Sequence, residues 1–223
     1  MFAAIAQHYD RLNSVLSFGL HHRWRWQAVR YSGMRPGAHV LDLCSGTADL
    51  ALAFARHLHG AGDVIATDFC HAMLVRGVHK ATRRQAAVAF ALADAQCLPF
   101  CDRSFDCVSV AFGLRNVDCL PLALREMYRV LRPGGVAVVL EFGQPQGVVF
   151  GPVYRWYARQ ILPRLGGWVS GHSDAYTYLP RTAAVFPAGA RFVSEVTAQG
   201  FTNVQAQPLT GGIVYLYTAT RPV

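Results

Sequence analysis

Three carboxylates fall at or near the ends of successive apolar runs, and their placement is the first chemical signal in the chain. Asp42 interrupts Val40-Leu41-Asp42-Leu43, Asp68 closes the run from Asp63, and Asp94 closes Val88-Ala89-Phe90-Ala91-Leu92-Ala93-Asp94. Beyond Leu43 the chain turns through Cys44-Ser45-Gly46-Thr47-Ala48 into an apolar-periodic segment from Leu50 to Leu58. Strand, small-residue turn and helix make a nucleotide-type pocket, in which backbone N–H groups at the helix start face the ligand. In an open α/β sheet the ligand lies outside the carboxyl ends of the strands, so acids there are placed to touch it. Asp68 stands where an acid accepts both hydroxyls of a ribose. Asp94 can meet an adenine amino group, with the Ala95 N–H beside it. One such acid is readily a strand-end cap; three at successive ends are hard to explain that way.

Two cofactors compete for such a pocket. A nicotinamide dinucleotide needs G-x-G-x-x-G, because only glycines let the backbone approach a pyrophosphate closely. Here the turn holds a single glycine, Gly46. S-adenosylmethionine has no pyrophosphate and tolerates small side chains at the turn, and an acid after the third strand has no fixed place in the dinucleotide fingerprint. The methyl donor is preferred. Asp42 then orders the turn or, directly or through water, helps hold the amino-acid end of that cofactor, and the turn through Gly46 and Thr47 faces it.

The elements that position these residues follow from periodicity. Strands are expected at 39–43, 63–68, 88–94, 105–111 and 136–142, and helices at 50–58, 73–78 and 120–131. Arg132-Pro133-Gly134-Gly135 separates the last helix from the fifth strand. Alternation at this spacing predicts an α/β fold, a Rossmann-like doubly wound sheet covered on both faces. A helix over 192–199 and a pair of strands, 201–207 and 213–219, close it with an antiparallel hairpin. Before the first strand, Phe2, Ile5, Tyr9, Leu12, Val15 and Leu16 recur at helical spacing. The piece SFGLHHRWRWQAVRY is either part of a lid or membrane-facing surface, or a helix with its Trp rings on the sheet and its Arg residues solvated. Residues 143–191, rich in Gly, Pro, Tyr and Arg, read as a helical cap. The whole is one domain: N-terminal helices (1–36), cofactor core (37–142), substrate-side insertion (143–191) and closing elements (192–223).

With 223 residues the chain buries one full core. No stretch approaches the roughly 20 apolar residues of a membrane span, and MFAAIAQHYD lacks a secretory pattern, so a cytoplasmic location is expected. The net charge of +8 is spread in mild clusters, without the basic and aromatic interleaving that tracks a nucleic-acid backbone. The six cysteines form no CxxC pair and no zinc set, so they read as free thiols and no metal is expected.

Several further motifs carry a resemblance. Tyr9-Asp10-x-x-Asn13, Ser17-Phe18-Gly19-x-His21, Leu41-Asp42-Leu43-x-x-Gly46-Thr47-x-Asp49 and Asp94-Ala95-x-x-Leu98-Pro99-Phe100 are joined by Phe112-Gly113-Leu114-Arg115-Asn116-Val117. Met127 to Gly135, Tyr178-Leu179 and Leu209-Thr210-Gly211-Gly212 complete the set. Nearly the whole chain resembles the C-methyltransferases of ubiquinone and menaquinone biosynthesis, class I S-adenosylmethionine-dependent enzymes. The resemblance places Thr47, Asp68, Asp94 and Ala95 on cofactor contacts. Where many members carry a serine before Phe-Gly-Leu-Arg-Asn, this chain has Ala111, which leaves backbone or packing contact only. Cys44, Ser45 and Ala48 stand where relatives often have Gly or Ala.

The reaction implied is methylation of a ring carbon of a polyprenylated quinol, with demethylmenaquinol first and the benzoquinol precursor second. The ring carbon becomes nucleophilic as the adjacent phenol, with a pKa near ~10, loses its proton. Aligning carbon, methyl and sulfur can supply on the order of 7–11 kcal/mol. Arg115 is the candidate for stabilising the oxyanion, since guanidinium donates and does not act as a base; its structural alternative is a pair with an acid such as Asp118. Asn116 and Tyr9 would fix the ring hydroxyl or a water. His8, His172 and Asp174 are the available proton acceptors, none strongly marked. The insertion, with Trp156, Tyr157, Ile161, Leu162, Trp168 and Tyr176, would wall a channel for the tail. Positive charge would favour peripheral contact with an anionic membrane, and a homodimer is left open. The alternatives are a methyltransferase for another small acceptor (sterol, phenol or polyketide) and a non-catalytic cofactor-binding subunit.

Overall fold

The computed structural model describes residues 9–145, 182, 183 and 185–223. Seven strands form one sheet in the order β3-β2-β1-β4-β5-β7-β6. They are β1 (His39–Leu43), β2 (Asp63–Asp68), β3 (Ala89–Leu92), β4 (Phe105–Ala111), β5 (Leu131–Phe142), β6 (Thr202–Leu209) and β7 (Val214–Thr220). Strands β1 to β5 run parallel, and β7 lies antiparallel to both β5 and β6. Strand β1 pairs with β2 on one side and β4 on the other, so the order reverses there and the crevice opens at their carboxyl ends.

Alternation along the strands sorts the core onto two faces. Leu41, Leu43, Val108, Val110 and Val139 face one layer, which contains α5 (Leu120–Val130) and α6 (Ala190–Ala198). Val40, Cys107, Val138 and Leu140 face the other, covered by α2 (Leu20–Tyr31) and α3 (Asp49–His57). Asp42 shares the parity of Val40, and so points to the layer of α2 and α3. Helix α4 (His71–Arg83) flanks the β2–β3 side, and α1 (Tyr9–Leu16) precedes α2.

Most boundaries fall within two residues of expectation, and the differences of note are at β5, β3 and α4. Strand β5 begins at Leu131, because Leu131 pairs with Phe105 before the register shifts and Arg132-Pro133-Gly134-Gly135 bulges outward. Gly134 N–H reaches Arg221 O at 2.8 Å, and Gly135 O accepts from Arg221 N–H at 2.9 Å, so the bulge is itself hydrogen-bonded. Strand β3 stops at Leu92, since Asp94 belongs to a turn bridged to Cys97. Helix α4 runs to Arg83, well beyond Val78. In α2 the expected solvation of the arginines is corrected. Trp24 is buried and its Nε1–H donates to Thr210 Oγ1 at 2.9 Å, but Arg25 is buried with it, while Trp26 faces solvent. Most of the expected cap over 143–191 lies outside the described residues, as do His8, His172 and Asp174.

Candidate active site

A cleft of about 300 Å³ opens at the carboxyl ends of β1, β2 and β4. It gathers Asp42, Gly46, Thr47, Asp68, Asp94, Ala95, Ala111 and Asn116 from the residues singled out in the sequence. Arg115 is not among the lining residues, and Tyr9 opens α1 with its side chain outside the described set.

The turn after β1 is tightly folded. Cys44, Gly46 and Ala48 have φ of 49°, 55° and 65°, a left-handed region that is costly for residues with a Cβ. Ser45 N–H donates to Thr67 O at 2.9 Å, which ties the turn to the end of β2. Asp68 anchors the same turn: Gly46 N–H donates to its Oδ2 at 2.8 Å and Cys70 N–H to its Oδ1 at 2.8 Å. Each oxygen thus keeps acceptor capacity for a ligand hydroxyl, and burial pushes the carboxyl above the usual range. At the third strand end, Asp94 Oδ1 accepts from Gln96 N–H at 2.9 Å, with buried Ala95 between them.

Asp42 is the least satisfied of these acids. Ser109, its register partner on β4, donates to Oδ1 at 2.6 Å, while the buried Oδ2 has no hydrogen-bond partner. Burial pushes its pKa up to about 7, against the opposing pull of Ser109 and Arg25. Asn116 Oδ1 is also buried and unpartnered. Two orphaned acceptors in one cleft call for a ligand that brings cations and donors. Burial raises the pKa of Cys44 and Cys107, which keeps both as neutral thiols rather than nucleophiles.

Thr47 is buried, but its hydroxyl is already engaged. It donates to Asp10 Oδ1 at 2.6 Å and accepts from Lys80 Nζ at 3.0 Å. Lys80 also pairs with Asp10 at 2.7 Å and Asp49 at 2.8 Å, clasping α1 and α4 to the start of α3. The motif aspartate Asp10 thus locks the N-terminal helix over the cofactor turn. Arg115 turns away from the cleft. Its Nη1 donates to Glu141 Oε1 at 2.8 Å and to Phe112 O, and its backbone N–H reaches Glu141 Oε2 at 3.3 Å. The acid it meets is Glu141, not Asp118, which lines the cleft.

Sequence reasoning missed Arg25, Asp49 and Phe112, all in the cleft wall. A signal for Arg25 existed: His21, Trp24, Arg25 and Ala28 share one helical face and all are buried. The cleft fits S-adenosylmethionine. Asp68 and Asp94 carry acceptors suited to adenosine hydroxyls and an amino group, and Asp42 carries a buried, unpartnered oxygen suited to a cation.

The comparisons agree. The ubiE/COQ5 methyltransferase family matches residues 1–221. The chain is 45% identical over 221 residues to the ubiquinone/menaquinone biosynthesis C-methyltransferase UbiE of Bdellovibrio bacteriovorus, covering 99% of this chain and 94% of that one. It is 45% identical over 222 residues to the demethylmenaquinone methyltransferase of Thermus thermophilus, covering 100% of both. Among solved structures, a SAM-dependent methyltransferase from Aquifex aeolicus aligns with TM-score 0.62 at 15% identity, over 88% of this chain and 89% of that one. A phosphoethanolamine N-methyltransferase of Haemonchus contortus in complex with S-adenosyl-L-methionine aligns with TM-score 0.67 at 14% identity, over 90% of this chain and 53% of that one. These two show the shared fold. The chain belongs to the ubiE/COQ5 methyltransferase family, and its cofactor is S-adenosylmethionine.

Proposed function

We propose that the chain methylates a ring carbon of a polyprenylated quinol, demethylmenaquinol first and the benzoquinol precursor second. The observation that carries this reading is Asn116. Its unpartnered buried Oδ1 sits in the cleft within the Phe-Gly-Leu-Arg-Asn-Val segment, as an acceptor for a ring hydroxyl of the reduced substrate. The names of the relatives support the substrate class. When bound, the cofactor supplies an electrophilic methyl group. Asp68 and Asp94 hold its adenosine half, Asp42 its cationic end, and Ala111 offers backbone and packing contact. Arg115 acts as a positioning residue: through Glu141 and Phe112 O it fixes the turn that presents Asn116. Tyr9, at the start of α1, is proposed as a second partner of the ring hydroxyl.

The site is tested by supplying radiolabelled S-adenosylmethionine with demethylmenaquinol, the benzoquinol precursor, and a small phenol. Label in the first, and more weakly in the second, is expected. Label in the phenol alone would move the chain to another acceptor, and no label in any would make it a non-catalytic binder.

The substrate class also motivates a peripheral membrane contact through α2. Arg23, Trp26 and Arg30 share an exposed helical face, with the Arg30 guanidinium 4.9 Å from the Trp26 ring. Basic and indole side chains together suit an anionic headgroup layer. Among the described residues no helix is long and apolar enough to cross a membrane. Flotation with anionic but not neutral liposomes, reduced by Trp26→Ser, is the expected result; equal flotation with both would refute the charge argument.

A further inference from the structure

We propose that Arg25 is the anchor for the α-carboxylate of the cofactor, opposite Asp42, so that α2 reads the amino-acid end of the methyl donor. The inference rests on the cofactor assignment above and deepens it. The wall of the cleft carries five acids, Asp42, Asp49, Asp68, Asp94 and Asp118, and among the described residues a single lysine or arginine, Arg25. The cofactor brings a sulfonium, an ammonium and a carboxylate. Its two cations are served by the acids, but a carboxylate among five acids needs a cation beside it, and among the described lining residues only Arg25 provides one.

The geometry leaves Arg25 free to do this. Its residue is 7% exposed, at the depth where a guanidinium is found only with partners. One arm is committed: Nη1 donates to His21 Nδ1 and, at 3.3 Å, to His21 O. Arginine can only donate, so His21 Nδ1 accepts, and the ring proton must sit on Nε2, 3.1 Å from Ser14 Oγ. His21 is thereby a fixed, neutral strut that aims the guanidinium. The other arm makes no hydrogen bond among the described residues. Its Nη2 forms a long ion pair with Asp49 Oδ2 at 3.9 Å, beyond hydrogen-bond reach, and Asp49 is held more closely by Lys80 at 2.8 Å. The guanidinium carbon lies 5.8 Å from the centroid of Phe112, which lines the cleft. A planar donor pair with one arm fixed and one arm without a hydrogen bond is suited to a carboxylate.

The test compares three ligands by calorimetry: S-adenosylmethionine, its decarboxylated analogue, and 5′-methylthioadenosine, which lacks the whole amino-acid end. Wild-type protein should prefer S-adenosylmethionine over the decarboxylated analogue by on the order of 100-fold. Arg25→Met should collapse that ratio to within a few fold while leaving methylthioadenosine affinity unchanged, which also reports that the variant is folded. Arg25→Gln, which keeps a donor for His21, should behave the same way if Arg25→Met proves unstable. An unchanged ratio in the folded variants, or equal loss for all three ligands, overturns the proposal. If the wild type binds methylthioadenosine and both sulfonium ligands equally well, Arg25 is refuted with the cofactor site intact. If it binds none, the cofactor reading falls with it.

Discussion

Arg115 and Glu141 form a buried ion pair that ties the turn after β4 to the end of β5. Nη1 and Oε1 are 2.8 Å apart, with side chains only 8% and 0% exposed. Breaking such a pair leaves a lone charge in the interior and costs about 3–5 kcal/mol. Arg115→Ala should therefore lose stability as well as turnover, and activity alone cannot interpret it. Combining Arg115→Met with Glu141→Gln removes both charges and should recover most of the melting temperature. Turnover should stay low, because the turn bearing Asn116 is no longer held. Recovery of both would show that the pair is dispensable to the reaction.

With Asp42 at the cationic end of the cofactor, as proposed, binding should be sensitive to pH. Burial is the main cause of its pKa of about 7; Ser109, Arg25 and the nearby Ala51 backbone N–H pull it down, and Asp68 pushes it up. Binding a cation beside the free Oδ2 requires the ionised form, so a proton must leave below that pKa. Affinity for S-adenosylmethionine should fall below pH 7, approaching tenfold per unit, and level off above it. Calorimetry in buffers of different ionisation heat should register proton release near pH 7. Asp42→Asn should bind more weakly and without this slope; a wild-type affinity flat from pH 5.5 to 8 would contradict the assignment.

The same carboxyl and His21 give opposite contributions to stability. Asp42 is raised from 3.8 to about 7, so between those values the native state holds a proton the unfolded chain has lost, and stability falls as pH rises. His21 is lowered from 6.5 to about 4, by burial first and then by Arg25 and His22. Between those values the unfolded chain holds the extra proton, and stability rises with pH. The two slopes oppose one another from pH 5 to 6.5, above the range in which ordinary carboxylates titrate. Measured against wild type by urea unfolding without cofactor, Asp42→Asn should become relatively more stable as pH rises across this window. His21→Asn should become relatively less stable. Parallel curves for all three proteins would remove both assignments.

The sheet was legible because strand periodicity and terminal acids coincide: β1, β2 and β4 begin and end where their apolar runs do. Asp42, Asp68 and Asp94 were picked out by those same ends, and the structure brings the three into one cleft. What escaped depends on contacts between distant segments. Arg25 belongs to a helix far ahead of the turn it faces, and its burial was hidden by neighbouring His22, Arg23 and Trp26 on the exposed side. Arg115 was expected to face substrate, yet a lone acid within the apolar run from Val136 to Phe142 already offered it a buried partner. The hydroxyl of Thr47 is taken by Asp10, a local competition that no spacing along the chain reveals.

The clasp formed by Lys80 separates a strong contact from a weak one. Asp49 and Lys80 side chains are 10% and 12% exposed, whereas Asp10 is 45% exposed. Asp10→Asn should cost about 1 kcal/mol or less, with its main effect a loosening of α1 seen as faster amide exchange over residues 10–16. Asp49→Asn should cost about 3 kcal/mol, since it strands Lys80 beside a partly buried site. Equal losses would mean that exposure does not rank these pairs.

Gly113 and Cys44 face each other across the crevice with no room for a second Cβ. A Cβ built on Gly113 would overlap Cys44 Cβ and lie 3.0 Å from its Sγ and 3.2 Å from Val110 Cγ1. Cys44 cannot easily yield, because it holds a left-handed φ of 49° at the end of β1. Gly113→Ala should therefore destabilise by about 1–3 kcal/mol and reduce cofactor affinity, since the displaced residue lines the cleft. Cys44→Gly alone trades a buried thiol for relief of backbone strain, and should stay within about 1 kcal/mol of wild type. Adding it to Gly113→Ala removes the opposing Cβ. The double variant should regain most of the lost melting temperature and cofactor binding together. Additive losses in the pair would place the cost of Gly113→Ala elsewhere, most simply against Val110.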